Sequence, residues 1–215
     1  MIMRIKWLGH ACFLITGDNG LRIITDPYTS GGGIRYDDIK ESADIVTISH
    51  EHSDHNNTQA IGGNPAVLKK GQKVKGIDIR SISSFHDTED GQQRGRNTIF
   101  CFEIDQVTIC HLGDLGHPLD DEQITQLNKV DVLLIPVGGY YTIDAQVASQ
   151  IIDQIKPQIT IPMHFKTSKL DYPIAHVDIF LNNKTGVRRL KTSEIELNKE
   201  SLPSDAQIII LEPDL

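Results

Sequence analysis

Four potential metal ligands fall within six residues at His50-Glu51-His52-Ser53-Asp54-His55, directly after the apolar segment Ile45-Val46-Thr47-Ile48. Neutral imidazoles and a carboxylate are borderline-to-hard donors suited to Zn²⁺, Fe²⁺ or Mn²⁺, and packing them this densely without a cation would concentrate unpaired polar groups. An α-helix turns His50 and His52 to nearly opposite faces, and a strand turns His52 and Asp54 away from His55, so no regular element presents all four side chains together. A turn at a strand end does. The rival reading is a solvated polar loop, but with nine histidines in 215 residues such a spacing rarely arises from composition. The run lacks a thiolate, so nothing in it selects zinc over manganese or iron.

The elements that must position these donors show in the apolar pattern. Ile5–Ile15 and Leu21–Thr25 are β-prone runs joined by Gly17-Asp18-Asn19-Gly20, a strong hairpin signal. Further strands are expected at Ile45–Ser49, Val74–Phe85, Thr98–Ile104, Val107–His111, Asp131–Val137 and Ile159–Met163, and later at Glu194–Leu197 and Gln207–Leu211. Most of the earlier runs end at a polar residue: Asp26, His50, His86, Asp114 and His164. In layered αβ folds ligands gather where strand ends meet loops, so these side chains converge if their strands sit in facing sheets. Helical spacing is clearest between Thr142 and Ile155, where Ile143, Val147, Ile151 and Ile155 recur before Pro157 stops the helix. Shorter helices are expected at Asp120–Leu127 and near Ile174–Leu181. Gly31-Gly32-Gly33 has no strand-to-helix phosphate fingerprint around it and reads as a mobile loop.

The length suits one domain, residues 1–215, with a sizeable core, and the 39% hydrophobic and 23% charged residues are those of a globular protein. A formal charge of −8 gives no sequence-wide attraction to nucleic acid, so extended duplex binding is not expected. Cys12, Cys101 and Cys110 lie in apolar runs without a Cys-x-x-Cys spacing and read as buried reduced thiols. No apolar stretch approaches ~18 residues and no secretory h-region opens the chain, which points to the cytoplasm and no membrane partner. Oligomeric state is not legible in one sequence.

Taken singly, His86 in Ser84-Phe85-His86-Asp87, Asp114 in His111-Leu112-Gly113-Asp114 and His164 in Ile161-Pro162-Met163-His164-Phe165 carry weak signals. A lone strand-end histidine is more often a hydrogen-bonded structural residue than a ligand. Beside the four-donor run, ligation becomes the better reading.

With Gly9-His10, Thr25-Asp26-Pro27, His-x-His-x-Asp-His and His164-Phe165 in place, most of the chain resembles the metallo-β-lactamase-fold hydrolases, in the compact branch that includes ascorbate-6-phosphate-lactonase-like proteins. The resemblance implies an α/β fold, a four-layer αβ/βα sandwich with a dinuclear centre at one rim of two sheets. It places one metal on His50, His52 and a later His, a second on Asp54, His55 and a last His, and a bridging carboxylate between them. The later His is assigned to His86, with His111 as the competing candidate and otherwise a pocket residue that orients ligands. Asp114 is the bridge and His164 the last ligand. Asp26 is expected to hold the histidine loop rather than bind metal, or to form a turn before Pro27. His10 is either a pocket-mouth residue or a packed strand histidine. His176 reads as surface. Arg94, Arg96 and Asn97 either contact an anion or are solvated, and Gly138-Gly139-Tyr140-Tyr141-Thr142 either lines a pocket or merely connects.

The chemistry implied is hydrolysis: a metal-bridging hydroxide attacks a carbonyl carbon or phosphorus of a small, anionic lactone, amide or phosphoester. Two divalent ions are the expected cofactors, zinc first, manganese or iron as alternatives. Asp54 and His117 are the candidate catalytic residues, His117 (or His111) for proton transfer on position alone. The runner-up is a phosphodiesterase acting on a small or single-stranded substrate. A metal-binding or regulatory protein with an idle centre is the reading from another class. Flavodiiron-type reductases carry Glu where His52 stands, and the nucleases of the family add a substrate-binding insertion that 215 residues do not hold.

Overall fold

Apolar residues at alternating positions of the first strands go to two different cores. The computed structural model describes residues 1–215. It begins with β1 (Met3–Gly9), β2 (Cys12–Thr16), β3 (Arg22–Thr25), β4 (Ile45–Thr47) and β5 (Ala66–Leu68). Met3, Ile5, Trp7, Phe13, Ile15, Ile23 and Ile45 face a main core, while Leu8, Cys12, Leu14, Ile24 and Val46 face a smaller one closed by Tyr28, Ile34, Tyr36 and Ile39 from the chain between β3 and β4. Period-two alternation is what a sheet covered on both faces by different partners requires.

The chain continues through β6 (Gln72–Val74), β7 (Ile77–Phe85), β8 (Arg96–Ile104), β9 (Val107–His111), α1 (Asp121–Leu127), β10 (Val132–Pro136), α2 (Ala145–Ile155), β11 (Ile159–Met163), α3 (Val177–Leu181), β12 (Val187–Arg189), β13 (Glu194–Leu197) and β14 (Gln207–Ile210). Two sheets result, ordered β13-β1-β2-β3-β4-β5 and β12-β14-β11-β10-β9-β8-β7-β6. Every residue of β10 and β11 is buried, as parallel strands sandwiched between a sheet and helices must be. Leu127 of α1, Ala148 and Ile151 of α2, and Val177 and Phe180 of α3 join the main core. The architecture is the mixed α/β, two-sheet fold that the resemblance implied, with few helices; irregular chain covers the outer face of the first sheet. No helix is long and apolar enough to cross a membrane.

Two apolar runs that read as single strands are hairpins instead. Ile5–Ile15 reverses at His10-Ala11, beyond the Gly9–Cys12 pair and with φ of 131° at Gly9 and 53° at His10, and Val74–Phe85 is broken by Lys75-Gly76, with φ of 51° and 82°. At Lys75-Gly76 both central φ are positive, the turn whose twist suits a hairpin, whereas at His10-Ala11 only the first is; hydrophobic periodicity registers neither. The three-residue strands β5 and β12 left no pattern either. Helix α2 starts later than its apolar spacing suggests because Asp144 caps it, its carboxylate accepting from the amides of Gln146 and Val147.

Strand direction decides where side chains meet. Strand β1 is antiparallel to β2, β2 to β3, and β3 is parallel to β4, so β1, β3 and β4 run one way. In the other sheet β7 and β9 are both antiparallel to β8, and β9, β10 and β11 are parallel, so β7, β9, β10 and β11 share a direction. Within each sheet, then, the C-terminal ends of these strands lie on one edge.

Candidate metal centre

Each candidate donor sits just past one of those ends: His10 after β1, Asp26 after β3, His50 to His55 after β4, His86 after β7, Asp114 after β9 and His164 after β11. Three of them hold left-handed backbone, with φ of 53° at His10, 39° at Asp26 and 49° at His164. Such a conformation costs an L-residue about 1–2 kcal/mol, and it persists only where surrounding structure fixes it. Here it turns the first side chain beyond the strand back towards the edge.

The donors converge on one oxygen. The Nε2 atoms of His55, His86 and His164 stand 3.2, 3.2 and 3.3 Å from Asp114 Oδ2, and His50 Nε2 stands 4.0 Å away. His50 Nε2 is 3.0 Å from His52 Nδ1. Despite this crowding, His55 Nε2 and Asp114 Oδ1 are buried with no hydrogen-bond partner. Imidazole nitrogens about 2.0–2.1 Å from a tetrahedral zinc lie about 3.3 Å apart, so the spacing, the neutral-His and carboxylate donor set and the orphaned polar atoms all fit divalent cations. His50, His52 and His86 form one grouping of metal-capable atoms, and His10, Asp54, His55 and His164 another.

A chain of hydrogen bonds beneath the centre fixes which ring nitrogen faces inwards. Asp26, fully buried, accepts from the Ser49 amide at 2.7 Å, the Ser49 hydroxyl at 2.5 Å and His55 Nδ1–H at 2.9 Å. With its proton committed to Asp26, Ser49 Oγ accepts from His50 Nδ1–H at 2.9 Å. Both rings therefore turn Nε2 lone pairs towards Asp114, from one carboxylate. Asp26 thus stands where a residue holding the histidine loop would stand.

The turn carrying Asp114 is held by Asn97, whose Oδ1 accepts from the Asp114 amide at 2.9 Å while its Nδ2–H donates to Leu112 O at 2.9 Å. Asn97 is buried, so the expectation that it contacts an anion or solvent is corrected. Gly113 makes the turn feasible, with φ of 56° and an ideal Cβ that would lie 2.4 Å from Asn97 Oδ1 and 2.5 Å from Ser49 Cβ.

Two further histidines are corrected by what their rings touch. His111 Nε2–H donates to Ala11 O at 2.9 Å and its Nδ1 accepts from the Gly113 amide at 3.1 Å. No ring nitrogen remains to compete with His86 for a metal. His117 Nδ1–H donates to Pro118 O at 2.7 Å and its Nε2 accepts from the Phe85 amide at 3.1 Å, so it has no free nitrogen for proton transfer and does not line the cavity. His176 is exposed, as read from sequence.

Electrostatics suit cation binding. Burial pushes His50 down to about 3 and His10 to about 4, so both rings offer lone pairs at neutral pH. Burial opposes ionisation of Asp114, but His164 and His55 outweigh it and hold its carboxyl well below the usual range. Burial likewise works against a charged His55, yet Asp114, Asp26 and Asp54 overcome it and raise its pKa. A proton on His55 and a divalent cation therefore compete for the same place.

Above the donors lies a cavity of about 290 Å³ lined by His52, Asp54, Arg94, Tyr141 and Tyr172 among others. Asp54 Oδ2 is steadied by His10 Nε2 at 3.3 Å and by the Tyr172 hydroxyl, which donates at 3.4 Å. His10 is buried, its ring centroid 4.2 Å from that of His164. It is neither a mouth residue nor simply packed. Replacing His10 with alanine should lower affinity for the cation next to Asp54 by about 10–100-fold, as loss of a ligand-orienting partner does. Competition with a chelating dye measures this, and an unchanged affinity would reduce His10 to packing. A larger hollow of about 840 Å³, lined by Arg80, Lys129 and Lys199, holds none of the donors. Its bases are engaged, Lys199 with Asp131 at 2.6 Å and Arg80 with Gln126 O at 2.8 Å.

Sequence reasoning missed Tyr172, which reaches Asp54 from a segment with no motif, and the part played by Asp87. Buried beside His86, Asp87 accepts from the amides of Glu89, Gly91, Gln93 and Arg94 at 2.8, 2.9, 3.0 and 2.6 Å. The spacing of acceptor and donors in Asp87-Thr88-Glu89-Asp90-Gly91 is that of an Asx turn, the one signal that was there to be read.

Comparison with known proteins follows the same lines. Residues 4–164 match the sequence profile of the family described as Beta-lactamase superfamily domain. A UPF0173 metal-dependent hydrolase of Archaeoglobus fulgidus is 30% identical over 201 residues, 78% of this chain and 85% of the relative. A UPF0173 metal-dependent hydrolase of Methanopyrus kandleri is 27% identical over 98% of this chain and 97% of its own length. Among solved structures, a Thermotoga maritima protein assigned to the Zn-dependent hydrolases of the metallo-β-lactamase superfamily superposes with a TM-score of 0.82 at 34% identity, covering 98% of each chain.

Proposed function

This chain belongs to the metallo-β-lactamase superfamily, and from that premise we propose that it is a metal-dependent hydrolase whose centre holds two divalent cations. His50, His52 and His86 would hold one, Asp54, His55 and His164 the other, and Asp114 would reach both. The observation that carries this is the gathering of three imidazole nitrogens within 3.3 Å of one buried carboxylate oxygen. Cations held there supply Lewis acidity and lower the pKa of water from 15.7 towards about 7. The protein's part is to keep His50 and His55 in the Nε2-inward tautomer through Ser49 and Asp26, and to steady Asp54 through His10 and Tyr172. Zinc is the first choice of metal because the similar Thermotoga maritima structure is described as a Zn-dependent hydrolase, with manganese or iron acceptable to the same donors.

The substrate is a small molecule. A cavity of about 290 Å³ lies at the lower end of ligand-site sizes, and two divalent cations outweigh the Asp54 and Asp114 carboxylates, favouring an anionic or polarised lactone, amide or phosphoester. Stripping metal with a chelator, restoring zinc or manganese, and assaying lactones, amides, phosphomonoesters and phosphodiesters tests this. Turnover should rise with metal content to a plateau near two ions per chain. Full occupancy with no turnover across the panel would favour a binding role, and release from aryl phosphodiesters without lactone hydrolysis would transfer the protein to the phosphodiesterases.

A further inference from the structure

Arg94 lines the cavity beside His52, Asp54 and Asp114, and no carboxylate stands within ion-pair distance of its guanidinium. Its Cζ lies 5.9 Å from the centroid of the Tyr141 ring, and Tyr141 packs edge-on against Tyr172 at 5.7 Å between centroids. The group is half-buried, so its five N–H donors are partly removed from water without gaining a protein acceptor.

The backbone under Arg94 is fixed before any ligand arrives. Asp87 gathers four amides of the segment 89–94, the His86 amide donates to Gly95 O at 3.0 Å, and the Gly95 amide donates to Gly91 O at 3.0 Å. An adjoining hollow of about 310 Å³ shares Arg94 and His52 and adds Lys69 and Arg96. Lys69 is paired with Glu51 at 2.7 Å and Arg96 is exposed, so Arg94 is the cation presented to the metal cavity itself.

We propose that Arg94 is the receptor for an oxyanion of the substrate, a carboxylate or a phosphate carried on a group separate from the bond that is cleaved, with Tyr141 and Tyr172 walling the uncharged part. A guanidinium fork accepts either oxyanion through two parallel N–H···O bonds, and a preorganised loop spares the ordering that a mobile arginine would require. The substrate class is then a small acid bearing an ester, lactone or amide. That substrate assignment rests on the hydrolytic reading above; the oxyanion site does not.

The test uses the zinc-loaded full chain, with Arg94→Ala and Arg94→Lys. Calorimetric titration with benzoate and with phenylphosphonate should show at least one of them binding Arg94→Ala about tenfold or more weakly than the unaltered protein, with Arg94→Lys in between. The anion that loses more identifies the carboxylate or the phosphate as the group recognised. In parallel, kcat/KM for a mono-aryl glutarate relative to the matching aryl butyrate should fall about tenfold in Arg94→Ala, mainly through KM for the glutarate. Equal binding of both anions to all three proteins, failure of both anions to bind the unaltered protein, or an unchanged ester ratio overturns the proposal. If neither ester is cleaved, the titrations alone decide the role of Arg94, and the hydrolytic reading is judged by the wider panel above.

Discussion

Replacing Asp114 with alanine is expected to lower kcat/KM for whichever substrate the protein hydrolyses by at least about 10³-fold, and to leave the purified protein short of its metal. The size of the effect follows from geometry. One Asp114 oxygen faces His55, His86 and His164 together, so its loss removes the single anion common to both proposed cation positions. Asn is nearly isosteric, but its amide N–H₂ cannot donate to a cation and its remaining oxygen carries no full charge, so Asp114→Asn should fail almost as badly. Metal analysis after exhaustive dialysis separates this from unfolding. The variant should hold clearly fewer ions per chain while its melting temperature in chelator stays within a few degrees of the unaltered protein under the same conditions. Retention of both metals with full turnover would show that Asp114 is a bystander, and the assignment of the centre would fall with it.

The parts of this centre that could be read in sequence are those that sit at strand ends next to apolar runs. His50 to His55, His86, Asp114 and His164 each follow a β-prone run, and strand direction alone brings the ends of their strands to one edge within each sheet. What escaped depends on backbone reversals and on partners remote in the chain. His10 reads as mid-strand because Ile5–Ile15 is a largely apolar, β-prone run, and only the positive φ at Gly9 and His10 turns it into a hairpin corner facing Asp54. Asn97 and His117 carry residue types that suit a site, yet the Asp114 amide, the Leu112 carbonyl, the Phe85 amide and the Pro118 carbonyl occupy their polar atoms. Residue type and spacing nominate donors; which of them keeps a free lone pair is decided by the backbone that passes beside it.

Asp26 shows the same point from beneath the metals, and its removal should be nearly as damaging without touching a proposed ligand. In Asp26→Ala three buried donors lose their acceptor at once: the Ser49 amide, the Ser49 hydroxyl and His55 Nδ1–H. Leaving buried polar groups unsatisfied costs about 1–3 kcal/mol each, and the left-handed φ of 39° suits alanine less than aspartate, so a loss of about 3–5 kcal/mol in metal-free stability is expected. Burial alone would raise the Asp26 pKa, but the His55 hydrogen bond and neighbouring imidazoles bring it below its ordinary value. Its stabilisation is therefore complete above about pH 4 and fades only as the pH falls through the lowered folded value. Metal affinity should drop by about 10–100-fold, because His55 and, through Ser49, His50 are freed to present the wrong ring nitrogen. Urea unfolding in chelator reads the first effect and dye competition for zinc the second. A variant that loses stability yet binds zinc as tightly as before would mean that packing, rather than Asp26, sets the tautomers of both rings.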